Sequence, residues 1–313
     1  MFIRRLAASV TSAALLALGL AACGTAAEDD GRLDVVVSIY PLQYAVEQIG
    51  GDAVDITTVT PAGADPHSVE LSPRQLRSFS DADAVIYLSG FQPAVDDAVA
   101  QREPSAVLDV APAAQLQPLP PGAADEHADE ETGAEEEDHA AGEALDPHFW
   151  LDPTRLAAVG TEIARTLGEA DPQNAAAYAD AAEAFAADLT ALDAELADGL
   201  TGCASDVVVT SHAAFGYLTE RYGLRQMSVS GIDPEGEPSP ARLREVRESI
   251  ADLGVSGVFT EPLADPAVAD TLAADLGVEV GALDPLDSHA GDADYREVMA
   301  ANLAALRSGL GCA

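Results

Sequence analysis

With 313 residues, 54 acidic against 15 basic side chains and a formal net charge of −39, the chain carries a surface that repels phosphate backbones and anionic lipid heads and attracts cations. This charge balance argues against a nucleic-acid partner, although a compositional bias of the source organism would give the same charge. Past the N-terminus no stretch is long and apolar enough to cross a bilayer, and the roughly 290 residues after the leader suffice for two domains with substantial cores.

Arg4 and Arg5, an apolar run over 6–20 and then Leu20-Ala21-Ala22-Cys23 read as a secretory signal over 1–22 that ends in a lipobox. Cys23 is then the lipidated residue, residues 23–32 are a polar tether, and the chain sits on the outer face of the cell membrane, anchored rather than spanning. An ordinary signal peptide cut elsewhere is the alternative. With Cys23 taken by lipid, Cys203 and Cys312 remain; in an exported chain they suggest a disulfide that ties down the C-terminus. Free thiols or thiolate metal ligands compete with that reading.

Residues 33–39 (LDVVVSI) form a near-continuous apolar run of strand length, as expected of a strand buried on both faces. Leu42, Ala45, Val46 and Ile49 then recur at helical spacing before Gly50-Gly51. Residues 54–59, 84–88 and 106–110 are further strands, and Ser72-Pro73-Arg74-Gln75 is a capping-box helix start. Alternating strands and helices predict a parallel α/β sheet with ligands at the C-terminal strand ends. The first α/β lobe spans 33–170.

The pattern stops around 122–145, a stretch that carries ten carboxylates, His127 and His139 but no aromatic residue. It reads as a disordered loop, too poor in apolar surface to offset ordering entropy. A solvated spacer is the plain reading; imidazoles among carboxylates also make a weak site for divalent cations.

Next comes Asp146-Pro147-His148-Phe149-Trp150-Leu151-Asp152-Pro153, which holds the only Trp. Asp152-Pro153 is a cap followed by Pro at the first helical position, so His148 lies in a short, stiff loop delivered to a helix over 154–167. Asp171-Pro172 starts a longer helix, 171–200, with Tyr178, Ala182, Phe185, Leu189, Leu192 and Leu196 in steps of four and three. At some 28 residues it spans about 42 Å and suits a rigid strut between two lobes. The second lobe, 201–313, repeats the rhythm with strands at 206–210, 224–229, 257–260 and 278–283, and helix starts at Ser239-Pro240 and Asp265-Pro266.

His67, His148, His212 and Asp284 each sit near a strand's C-terminal end or a helix start, two in each half. Three imidazoles and one carboxylate are a donor set suited to zinc and tolerable for manganese or iron. No spacing motif of the H-E-x-x-H kind joins them.

At these residues the chain resembles the metal-binding lipoproteins of bacterial ABC importers, the cluster A-I zinc and manganese solute-binding family. The resemblance rests on Asp65-Pro66-His67-Ser68-Val69-Glu70 with Ser72-Pro73, the octapeptide at 146–153 and Ser211-His212-Ala213-Ala214-Phe215-Gly216-Tyr217. Glu237-Pro238-Ser239-Pro240, Thr260-Glu261-Pro262 and Leu283-Asp284-Pro285-Leu286 continue the series. It implies two α/β lobes, each a mostly parallel sheet flanked by helices, joined by one long rigid helix. It also implies a non-enzymatic, monomeric protein holding metal through His67, His148, His212 and Asp284, with delivery to a membrane permease driven by a cytoplasmic ATPase.

The acidic His-containing insertion resembles that of zinc-type members, and three histidines also favour zinc; manganese is the alternative. Glu70 and Glu237 are candidates to orient imidazole N–H groups, or else simple helix caps. A zinc hydrolase is a poor match, since four protein ligands leave no open position for water. A metal-dependent surface adhesin is a further alternative that the anchor and charge allow.

Overall fold

Strand β1 (Leu33–Val37) shows why the first sheet is covered on both sides: Val35 and Val37 pack into one apolar cluster and Val36 into another, on the opposite face. The computed structural model describes residues 31–119, 144–236, 238–253, 255, 257–288 and 290–313. The predicted leader over 1–22, Cys23, most of the tether, His127, His139 and Glu237 lie outside the described residues. Leu33–Ala313 is one compact unit.

After β1 come α1 (Tyr40–Gly50), β2 (Val54–Thr58), α2 (Pro73–Asp81), β3 (Ala84–Tyr87), α3 (Pro93–Arg102), β4 (Val107–Asp109) and α4 (Ala111–Ala114). The four strands are all parallel, in the order β2-β1-β3-β4. Helix α2 begins with the predicted capping box of Ser72 and Gln75. Within the run at 33–39 the strand ends at Val37, with Ser38 still bonding the flanking chains, and Ile39 is the extended N-cap residue of α1.

A 3-10 turn at Phe149–Leu151 leads into α5 (Pro153–Ala170) and then α6 (Ala175–Gly199). The long helix starts later than Asp171-Pro172 suggests. The Asp171 carboxylate instead accepts bonds from the Gln173 backbone, the Asn174 amide and the Tyr178 hydroxyl, which closes a turn ahead of the helix. Its 25 residues therefore span about 37 Å. The expected stripe from Tyr178 to Leu196 is buried throughout. Gly160 of α5 permits a close approach, since a Cβ there would stand 2.8 Å from the Phe185 ring of α6.

The second lobe runs β5 (Val207–Thr210), α7 (Gly216–Arg221), β6 (Arg225–Ser228), α8 (Pro240–Leu253), β7 (Gly257–Thr260), α9 (Pro266–Leu276), β8 (Glu279–Ala282) and α10 (Tyr295–Leu310). Its sheet is again parallel, ordered β6-β5-β7-β8, the winding of the first lobe repeated. Helix α6 links the lobes and packs on α5, α1 and α10. One apolar cluster runs through Val35, Trp150, Leu192, Val208 and Tyr295 and so crosses both lobes, which joins them through a close-packed interior. A disulfide connects Cys203, just past α6, to Cys312, just past α10.

Candidate metal centre

Each sheet changes winding direction beside its first strand, and a parallel α/β sheet opens a crevice at the C-terminal ends of such strands. The functional loops emerge there. His67 follows β2, His212 follows β5 and the loop of Asp287 follows β8, while His148 arrives on the stiff loop ahead of α5.

One local device holds several of these loops. At every Asp-Pro pair among the described residues the Asp carboxylate accepts the backbone N–H two residues on. Asp65 takes that of His67 at 2.9 Å and Asp146 that of His148 at 3.0 Å. Asp152, Asp171, Asp233, Asp265 and Asp284 do the same for Thr154, Gln173, Glu235, Ala267 and Leu286. Such side-chain turns need no partner beyond the local chain. The aspartate of the pair is thus a holder, and the residue it presents lies further along the chain.

The structure brings His67, His148 and His212 together as expected, but with Asp287 as the carboxylate instead of Asp284. One donor atom from each of these four lies within 4.8 Å of all the others. Asp284 is not among the four. Its Oδ1 is occupied by the Leu286 N–H at 2.8 Å, and the chain then reverses at Leu286 to deliver the next carboxylate, Asp287.

The imidazoles are aimed by their surroundings. The Asp146 Oδ1 accepts the His148 backbone and also faces its Nδ1 at 2.8 Å, while the Trp150 ring lies 5.3 Å away. Glu261, just past β7, accepts the His212 backbone N–H at 3.0 Å and meets the His212 Nδ1 with its other oxygen. His67 sits edge-on to Phe91 at 4.8 Å, and Gln92 holds the preceding Pro66 carbonyl at 3.0 Å. Carboxylates on Nδ1 direct the Nε2 lone pairs of His148 and His212 inward. The Nε2 atoms of His148 and His212 then stand 3.7 and 3.6 Å from the two oxygens of Asp287.

The Nε2 atoms of all three histidines and both Asp287 oxygens are buried without a hydrogen-bond partner. Burying so many unpaired polar atoms is costly, and a single cation among them would satisfy the set. In a tetrahedral zinc site the donors lie about 3.3 Å apart, given bonds of about 2.0–2.1 Å. The two short separations stand a few tenths of an ångström above that and all four donor atoms lie within 4.8 Å of one another, so the loops would draw in around the ion, and the donor types match zinc.

Electrostatics follow from the same geometry. Burial pushes His67 down to about 4, with the neighbouring His148 adding to the effect. Burial also acts to lower His212, but the Glu261 and Asp287 carboxylates outweigh it and raise it to about 10. For Asp287, burial opposes ionisation, yet the surrounding imidazoles hold its carboxyl below the usual range.

Two openings reach the cluster. A cavity of about 410 Å³ is lined by His67, Phe91, Leu119 and Leu145, and one of about 150 Å³ by Asp287, Tyr40 and Thr58. A larger cavity of about 580 Å³, beside Leu243 and Val268, is lined by none of the four donors.

Of the residues expected to orient imidazoles, Glu70 is exposed and Glu237 lies outside the described residues. The carboxylates that meet imidazoles are Asp146 and Glu261, which sequence reasoning left without this role. A signal existed for both: Asp146 opens an Asp-Pro-His triplet, and Glu261 follows a buried strand at the winding switch. Glu261→Gln is expected to weaken metal binding about 10- to 100-fold, as for other outer carboxylates on ligating histidines, with the fold retained. Competition against a chromophoric chelator measures it.

Comparison with known proteins agrees with this geometry. The zinc-binding lipoprotein AdcA of Streptococcus pneumoniae is 32% identical over 309 residues, which covers 96% of this chain and 60% of that protein. This chain therefore spans about three fifths of that relative's length. The solved zinc(II)-bound ZnuA-like domain of AdcA from Streptococcus pneumoniae is similar at a TM-score of 0.71 and 28% identity, covering 90% of this chain and 99% of that one. A mutant structure of the laminin-binding adhesin Lmb from Streptococcus agalactiae is similar at a TM-score of 0.76 and 30% identity, covering 89% and 99%. Residues 35–309 match the family described as ZnuA, zinc-uptake complex component A, periplasmic, and the chain belongs to that family.

Proposed function

We propose that this protein captures a zinc ion outside the cell membrane and hands it to an ABC permease for import, the permease being driven by a cytoplasmic ATPase. The observation that carries the reading is the convergence of three buried, unpartnered Nε2 atoms on an equally unpartnered carboxylate at His67, His148, His212 and Asp287. Four protein donors complete a tetrahedral shell, so the ion is cargo with no open position for a reactive water. Three imidazoles favour zinc over manganese by donor type. Anchoring through a lipid on Cys23 would hold the protein at the membrane face where a permease receives its cargo; the family's description as periplasmic and its lipoprotein relative support that placement.

Metal-free protein offered equimolar zinc and manganese is expected to take up about one zinc per chain and little manganese. Uptake of manganese in preference, or of neither metal at micromolar concentration, overturns the reading. Turnover of an ester or peptide lost on His148→Ala would point to hydrolysis instead.

The acidic segment with His127 and His139 is read as an auxiliary collector. Its two ends are already joined, with the Leu119 N–H donating to the Ala144 carbonyl at 2.8 Å and a bridge between Pro118 and Leu145. Deleting residues 123–143 is therefore expected to preserve folding and zinc affinity, and to slow capture only at scarce metal. Loss of folding on deletion, seen by circular dichroism, contradicts this.

A further inference from the structure

Three non-glycine residues among those described have positive φ: Glu103 at 48°, Gln115 at 53° and Leu286 at 62°. The first two are exposed and close α3 and α4 as left-handed caps, a common way to end a helix. Leu286 ends no helix, is fully buried and stands directly before Asp287. A leucine there crowds its Cβ against the following carbonyl, so such a conformation persists only where the surroundings over-determine it.

The surroundings of Leu286 do so. Its N–H is taken by Asp284 at 2.8 Å. Asn302 on α10 brackets Asp284 from both sides, accepting its N–H at 2.9 Å and donating to its carbonyl at 2.7 Å. The Trp150 indole donates to the Pro285 carbonyl at 2.7 Å, and the Trp150 carbonyl in turn accepts the Tyr295 hydroxyl of α10 at 2.6 Å. Each residue from Asp284 to Leu286 is thus pinned, in part by the loop that carries His148.

We propose that Leu286 is a positioning residue for the cargo ion: its left-handed backbone, held by Asn302 and Trp150, is what turns the Asp287 carboxylate onto the three imidazoles. This rests on the zinc reading of the site. If φ relaxes to negative values, the chain beyond Leu286 leaves in another direction and Asp287 withdraws, so that zinc keeps three donors and escapes sooner. The fraction of time residue 286 spends left-handed therefore sets how firmly the fourth donor is held.

The test is a set of substitutions that changes the tolerance for positive φ, read as zinc release by stopped-flow chase with excess chelator. Leu286→Ile nearly conserves volume but branches at Cβ, which tolerates positive φ poorly; release is expected to quicken roughly tenfold over the parent protein. Leu286→Gly and Leu286→Ala leave closely similar cavities, yet only glycine adopts positive φ freely, so the glycine protein is expected to release zinc roughly tenfold more slowly than the alanine one.

In an Asp287→Ala background these differences are expected to vanish, since the effect acts through that carboxylate. Equal release by the glycine and alanine variants, or a difference that survives loss of Asp287, overturns the inference while leaving the zinc reading intact. If both truncations fail to fold, Leu286→Ile decides alone, and unchanged release overturns the proposal. A parent protein that takes up no zinc instead overturns the zinc reading itself.

Discussion

Asp287→Ala is expected to lower zinc affinity by more than about 100-fold, the upper figure for losing an outer carboxylate behind a ligating histidine, because it removes a donor to the ion itself. Both oxygens of Asp287 are buried with no hydrogen-bond partner, and their only close charged neighbours among the described residues are the imidazoles of the same site. Asp284→Asn, three residues earlier, is expected to change affinity by less than about threefold, because asparagine also accepts the N–H two residues on and keeps the turn. The pair separates the two aspartates in one titration against a competing chelator. Equal losses at the two positions, or a larger loss at Asp284, would return the ligand role to Asp284. His148→Ala and His212→Ala are expected to fall with Asp287→Ala, each removing a buried imidazole donor.

The second large effect is on stability. Reducing or removing the Cys203–Cys312 disulfide, which spans a sequence separation of 109, is expected to cost up to about 4 to 5 kcal/mol on the chain-entropy model, strain and residual unfolded structure reducing the figure. For a chain of this size that corresponds to a fall in Tm of roughly 10 °C. The check is a melt of Cys203→Ser/Cys312→Ser beside the parent protein, both stripped of metal, since bound zinc adds stability by mass action. Zinc affinity is expected to be nearly unchanged: Cys203 precedes β5 and His212 follows it, so the whole strand lies between bridge and site. A melt shifted by less than about 2 °C would show that the Ala204 and Ser205 N–H groups, which bond the Leu310 carbonyl, hold the C-terminus unaided.

The Asp-Pro pairs show how much of the site is legible in the sequence and where legibility stops. Asp65-Pro66 and Asp146-Pro147 each precede a histidine that becomes a donor, and the same chemistry at Asp284-Pro285 marks that loop as well. There the sequence points to the aspartate itself as the ligand, and the structure does not agree. At all seven pairs among the described residues the carboxylate serves its own backbone and presents a residue further along the chain, which points past Asp284. The same turn at Asp152 and Asp265 caps a helix that begins at the next residue, whereas at Asp171 the other oxygen also takes the Asn174 amide and the Tyr178 hydroxyl and α6 opens only at Ala175.

What the residues determined by themselves is the local part. Short apolar runs between turn residues became the inner strands β1, β3, β5 and β7, because a strand buried on both faces has to be apolar, whereas edge strands such as β2 and β6 keep polar residues. Caps at Ser72, Asp152 and Asp265 started helices where they stand, since a cap needs only the next three residues. The three histidines were legible as donors for a related reason, each lying in a loop at an element's end.

What only the tertiary structure decided is which distant groups face one another. Glu261 meets His212 across 49 positions of sequence, and Trp150 reaches Pro285 across 135. The choice of Asp287 over Asp284 turns on the sign of φ at a single leucine, a conformation that leucine disfavours intrinsically and that Asn302 and Trp150 enforce from elsewhere in the fold. The local bond from Leu286 to Asp284 is shared by every Asp-Pro turn here, so it cannot announce a backbone state that Asn302 and Trp150 hold from a distance.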